Sequence, residues 1–133
     1  MISTESAIAL RDAGLMWHPR SGDRFQLDEP EFDADVFTVS EMTIEPRDPT
    51  GRILAFNGTT EWALDSVALE DALWLPHESQ LRELLRGAFR ALRRLPDIYE
   101  VEIAVGDETF AFQHPAPADA YALALLELLR RIA

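Results

Sequence analysis

Tyr99, Val101, Ile103 and Val105 alternate with Glu100, Glu102 and Ala104, and the run stops at Gly106-Asp107. A period of two is the pattern of a strand with one buried face. Glycine in the first position of a two-residue loop fits a type II′ hairpin turn. Pairing outward from that turn sets Ile103 opposite Phe110 and Val101 opposite Phe112, so the large apolar side chains of both strands share one side. Such a sheet has to be covered, and the next segment supplies a cover. Pro115 or Pro117 opens a helix that runs to about Arg131. From Ala120 to Leu129 its only polar groups are the Tyr121 hydroxyl and Glu127. A helix apolar nearly all round is buried on more than one side. It therefore lies between the sheet and another helix, or half of it forms an interface with a second copy.

The chain ahead of this hairpin supplies the other elements. Ser3 or Thr4 caps a first helix through Ala7, Ile8, Ala9 and Leu10, with Glu5 in its first turn and Gly14 as its terminator. Arg24-Phe25-Gln26-Leu27 reads as a short strand. Val36 to Glu45, VFTVSEMTIE, reads as a longer one, with a bulge near Ser40-Glu41 that brings Phe37, Val39, Met42 and Ile44 to one face. Asn57-Gly58 signals a two-residue type I′ loop that pairs Ile53 with Trp62; a short helix from Thr60 to Val67 is the alternative. Pro76 suits the first position of a central helix in which Leu81, Leu84, Leu85, Ala88, Phe89 and Leu92 recur at helical spacing, ended by Pro96-Asp97. Gly87 weakens that helix by about 1 kcal/mol without breaking the pattern. The expected architecture is a single α+β domain over residues 1–133, in the order α-β-β-β-β-α-β-β-α. Its sheet is mostly antiparallel, with helices largely on one face.

Composition limits the chemistry. The 24 acidic residues face 12 basic ones, a net charge of −12. That field repels nucleic-acid backbone and anionic lipid, so neither is an expected partner. Every basic residue is arginine, which excludes a Schiff-base or P-loop lysine. The absence of cysteine excludes disulfides, thiolate nucleophiles and cysteine-ligated zinc. GxSxG, SxxK and GxGxxG do not occur, and no cofactor is expected. No apolar run approaches the ~20 residues that span a bilayer. The N-terminus lacks the basic start and apolar core of a signal peptide, so the expected location is the cytoplasm.

Four groups of residues are candidates for a site. Glu61 and Asp65, with His77 near in sequence, have the chemistry of general base and acid partners; carboxylates on a solvent face are the plainer explanation. His18, His77 and His114 together supply the donors of a three-histidine metal site. No pair of them has the i, i+4 spacing of a helical zinc motif, and separate loop or helix-end positions explain them as well. Trp62 and Trp74 flank the entry to the central helix, either lining a ligand groove or serving as core. Arg82, Arg86, Arg90, Arg93 and Arg94 form a basic strip on that helix. It is either a solvated face, with Glu78–Arg82 as an i, i+4 pair, or a contact for an acidic patch.

FNGTTEWALDSV, followed by ALWLPHESQLRELL and a closing ADAYALALLELL, resembles a family of short, uncharacterised bacterial proteins, some of which carry a pilus-assembly label. The likeness runs from ALRDAGLMW to the final helix. It implies a single domain and brings no catalytic residues with it. The expected function is a non-enzymatic cytosolic module that binds protein, including a second copy of itself through the C-terminal helix. The first alternative is an acidic immunity-type or regulatory protein that covers a basic partner, since charge steering speeds such encounters. The second is a small hydrolase or ligand-binding protein using Glu61, Asp65 and His77.

Overall fold

The computed structural model describes residues 1–27, 35–39, 44–46, 53–56, 66–68 and 71–132, with the short strands at 44–46, 53–56 and 66–68 described as backbone. In chain order the elements are α1 (Thr4–Asp12), β1 (Arg24–Leu27), β2 (Phe37–Thr38), β3 (Ile44–Pro46), β4 (Ile53–Phe56), β5 (Ser66–Ala68) and β6 (Ala72–Leu75). They continue as α2 (Glu78–Leu85), a 3₁₀ turn (Arg86–Ala88), β7 (Phe89–Arg94), β8 (Tyr99–Val105), β9 (Glu108–His114) and α3 (Pro117–Ile132). This is an α+β fold with antiparallel sheets, as expected. The chain forms two compact units, one of Met1–Met16 with Leu75–Ala133 and the other of Trp17–Trp74.

In the first unit the sheet runs β7-β8-β9. The closing hairpin has the expected register, with Ile103 opposite Phe110 and Val101 opposite Phe112. Gly106 has φ +61° while Asp107 stays out of the left-handed region, which is the pattern of a type II′ turn. Val101 and Ile103 are fully buried. The cover is α3, which packs on β8 and β9 and carries α1 and α2 on its other sides. Five successive residues, Ala118 to Ala122, are buried, so the first half of α3 is enclosed by its own chain. Of the two expected positions for this helix, that half occupies the one between sheet and helices.

Each end of α1 is closed by the residues the sequence offers. The Ser3 hydroxyl accepts from the Ser6 N–H at 3.1 Å, satisfying one of the free donors of the first turn. At the other end Gly14, at φ +105°, donates to the Arg11 carbonyl while Leu15 donates to the Leu10 carbonyl. This double closure is a Schellman motif, which needs a left-handed residue at the Gly14 position.

The central helix differs most from the sequence reading. It begins at Glu78, with His77 as N-cap and Pro76 one residue outside, and it stops at Leu85. Arg86 takes φ +51° and ψ −131°, the 3₁₀ turn follows, and Phe89–Arg94 is strand β7 paired with β8. Ala88, Phe89 and Leu92 therefore do not continue the apolar stripe of Leu81, Leu84 and Leu85. The physical reason is competition: β7 gains a ladder with β8, Leu92 opposite Val101 and Arg93 opposite Glu100. Against that pairing, a helix through Arg86-Gly87 offers only local bonds. Phe89 is turned back onto α3, its ring 5.9 Å from that of Tyr121.

In the second unit one sheet runs β2-β1-β6 and another β3-β4-β5. Phe25 is fully buried between the rings of Trp17 at 5.3 Å and Phe37 at 5.6 Å. The expected single bulged strand from Val36 to Glu45 is instead two strands, β2 pairing with β1 and β3 pairing with β4. Two apolar pairs of opposite parity fit a strand in each of two sheets as well as one strand with a bulge. Ile53 lies opposite Ala68, so the expected Ile53–Trp62 pair does not form. The Asn57-Gly58 turn itself and most of the Thr60–Val67 alternative lie outside the described residues.

Candidate functional site

The arginines expected on one helical face are distributed over three elements that meet on the outside of the first unit. Arg82 is exposed on α2 and its guanidinium donates to the Tyr121 hydroxyl at 3.4 Å. Arg86 is the C-cap of α2, and Arg90, Arg93 and Arg94 stand exposed on β7. Arg90 is the extra residue where the β7–β8 register shifts, and its guanidinium donates to the Gly87 and Phe89 carbonyls. Arg93 bridges Glu100 at 3.3 Å and Glu102 at 3.0 Å, and Gln113 on β9 donates to Glu100 at 2.8 Å. This polar ladder follows the register, Arg93 opposite Glu100 opposite Gln113, and pairs at such exposure contribute little to stability. Among the described residues Arg93 is the one member of the strip with a carboxylate partner.

Arg86 carries a second signal. Among the described residues it alone, apart from glycine, has a positive φ. That backbone region costs a side-chain-bearing residue roughly 1–3 kcal/mol, although its neighbour Gly87 would adopt it freely.

The histidines are used locally. His77 opens α2 in a capping box in which the Gln80 side-chain oxygen, Oε1, accepts from the His77 backbone N–H at 2.9 Å. The His114 Nδ1 accepts from the Ala116 N–H at 2.9 Å, just before α3. His18 is exposed in the other unit. No group of three or more His, Asp or Glu side chains suited to a metal ion occurs among the described residues. Glu61, Asp65 and Trp62 lie outside those residues. Trp74 is half-buried on β6, and its buried indole N–H has no hydrogen-bond partner among the described residues.

Two buried carboxylates escaped the sequence reading. Asp23 is 3% exposed, and one of its oxygens accepts from the Trp17 indole N–H at 2.9 Å and the Arg20 N–H at 3.0 Å. Asp119, also 3% exposed, sits in the first turn of α3 and accepts from the Ser3 N–H at 3.0 Å and the Ser3 hydroxyl at 2.8 Å. Burial pushes the Asp119 pKa up, but the hydrogen bonds from Ser3 and Ser6, with His114 nearby, more than offset it and hold the carboxyl below its usual range. The His114 Nδ1 lies 3.9 Å from the second oxygen. Since that nitrogen already accepts from Ala116, the approach is not a hydrogen bond. Both aspartates fasten chain segments together. A signal for Asp119 was present in its place just inside a helix start, where the dipole favours a carboxylate; nothing local marked either residue as buried.

No helix among the described residues is long and apolar enough to cross a membrane. No protein-family model, curated protein or solved structure matches the chain.

Proposed function

We propose that the protein is a non-enzymatic cytosolic protein-interaction module that presents the arginine surface of residues 82–94 to an acidic protein partner. One observation carries the reading. In a chain of net charge −12, residues 82–94 hold five arginines, Arg82, Arg86, Arg90, Arg93 and Arg94, beside one acidic residue, Glu83, and among the described residues only Arg93 of the five is paired with carboxylates, those of Glu100 and Glu102. Charges farther apart than about 8 Å are largely screened at physiological salt, so a docked partner meets the local patch rather than the net charge. The strained Arg86 fits the same reading, because a glycine there would relieve the backbone and lose the guanidinium. A second copy of the chain fits less well through α3, whose first half is enclosed; only its end is open, with Ile132 81% exposed.

The test is the double substitution Arg86→Glu with Arg94→Glu, at two exposed residues outside every described ion pair. Affinity capture with the wild-type protein should yield a partner whose retention drops about tenfold or more with the variant, and likewise in high salt. An immunity-type protein that covers a basic partner would respond with the opposite sign. Unchanged or tighter retention by the variant would contradict the proposal and favour that alternative.

A further inference from the structure

We infer that the acidic partner is an extended segment that adds to sheet β7-β8-β9 as a fourth strand alongside β7, an inference that rests on the arginine surface proposed above. The sheet order leaves β7 bonded on one side, to β8, among the described residues. The other side of an edge strand presents a row of N–H and C=O groups, the template that strand-adding ligands use. The chemistry along β7 selects what is admitted. Arg90, Arg93 and Arg94 are exposed, and Leu92 between them is 37% exposed, an apolar contact inside a cationic frame. A second β7 would bring its own Arg90, Arg93 and Arg94 against these, and like charges across a strand pair are destabilising, so the edge disfavours a second copy. A strand bearing Glu or Asp at the same places meets opposite charge. The register shift at Arg90 confines regular pairing to Ala91–Arg94, a short stretch that suits a short linear segment. The opposite edge, β9, carries Glu108 and Gln113 and no arginine, so the same argument does not extend to it.

Two labelled probes test this on the full chain. One is a peptide of alternating Glu and Val; the other has the same sequence with every backbone nitrogen methylated, which keeps the charge and removes the donors. Binding is read by fluorescence anisotropy, and amide hydrogen exchange is followed across Phe89–Arg94. The expected result is binding of the plain peptide about tenfold tighter than the methylated one, with slowed exchange at those β7 amides that do not bond β8. Equal binding of both probes without slowed exchange would overturn strand addition and leave the arginine surface standing as a charge contact. Binding of neither probe would overturn strand addition as well, and the capture experiment with the Arg86→Glu, Arg94→Glu protein would then decide separately whether the surface reading falls.

Discussion

Replacing Tyr121 by alanine is expected to destabilise the unit of Met1–Met16 with Leu75–Ala133 by about 3–5 kcal/mol. Tyr121 is a large, fully buried side chain on α3, and its ring lies 5.9 Å from that of Phe89 at the start of β7. Its hydroxyl meets Arg82 of α2 at 3.4 Å. Alanine would leave a void where helix and strand join, and the surroundings cannot fill it without moving one of them. Tyr121→Phe keeps the ring and loses one long hydrogen bond, so its cost should stay near or below about 1 kcal/mol. The measurement is urea unfolding followed by far-ultraviolet circular dichroism. Among the described residues all three α-helices lie in this unit, whereas Trp17, Trp62 and Trp74 fall within residues 17–74, so tryptophan fluorescence gives a separate readout of the other unit. A loss below about 1 kcal/mol for alanine would mean that Tyr121 does not organise this core.

Asp119→Ala comes next, with an expected loss of roughly 2–3 kcal/mol, because two hydrogen bonds to a buried charged acceptor disappear together. Those bonds tie Ser3, the N-cap of α1, to the first turn of α3, so the helical signal of α1 should fray first. The pH dependence follows from the lowered pKa. A carboxyl whose folded pKa lies below its unfolded value contributes stability that is complete above the unfolded value and lost as pH falls through the folded one. Wild-type stability should therefore hold down to about pH 4 as far as this group is concerned, and decline below it. Asp119→Ala should show a shallower acid limb. Parallel stability–pH curves for the two proteins would remove Asp119 from that role.

How much of this was legible in the sequence depends on whether a residue's fate is decided nearby. The β8–β9 hairpin could be read because Gly106-Asp107 fixes the turn and the alternation on either side fixes the register, all within Tyr99–His114. The start of α1 at Ser3 and its stop at Gly14 were local in the same way. The run Leu81 to Leu92 was not. Its spacing satisfies a helix throughout, and what ends the helix is pairing with β8, in register with Leu92 opposite Val101. The clue was Gly87, which the apolar periodicity outweighed. The arginines were legible as a cluster but misplaced, since a helical face became a helix end, a turn and an edge strand. Asp119 was hidden for a related reason: its partner Ser3 is 116 positions away.

The arginine edge exists only if Phe89–Arg94 is a strand, and that is directly measurable. Backbone chemical shifts and cross-strand nuclear Overhauser effects on the labelled protein should show helix through Leu85, a break at Arg86-Gly87, and extended shifts from Phe89 to Arg94 with contacts joining Leu92 to Val101 and Arg93 to Glu100. Helical shifts running unbroken from Glu78 to Leu92, without those contacts, would contradict the fold of this segment and the function proposed on it.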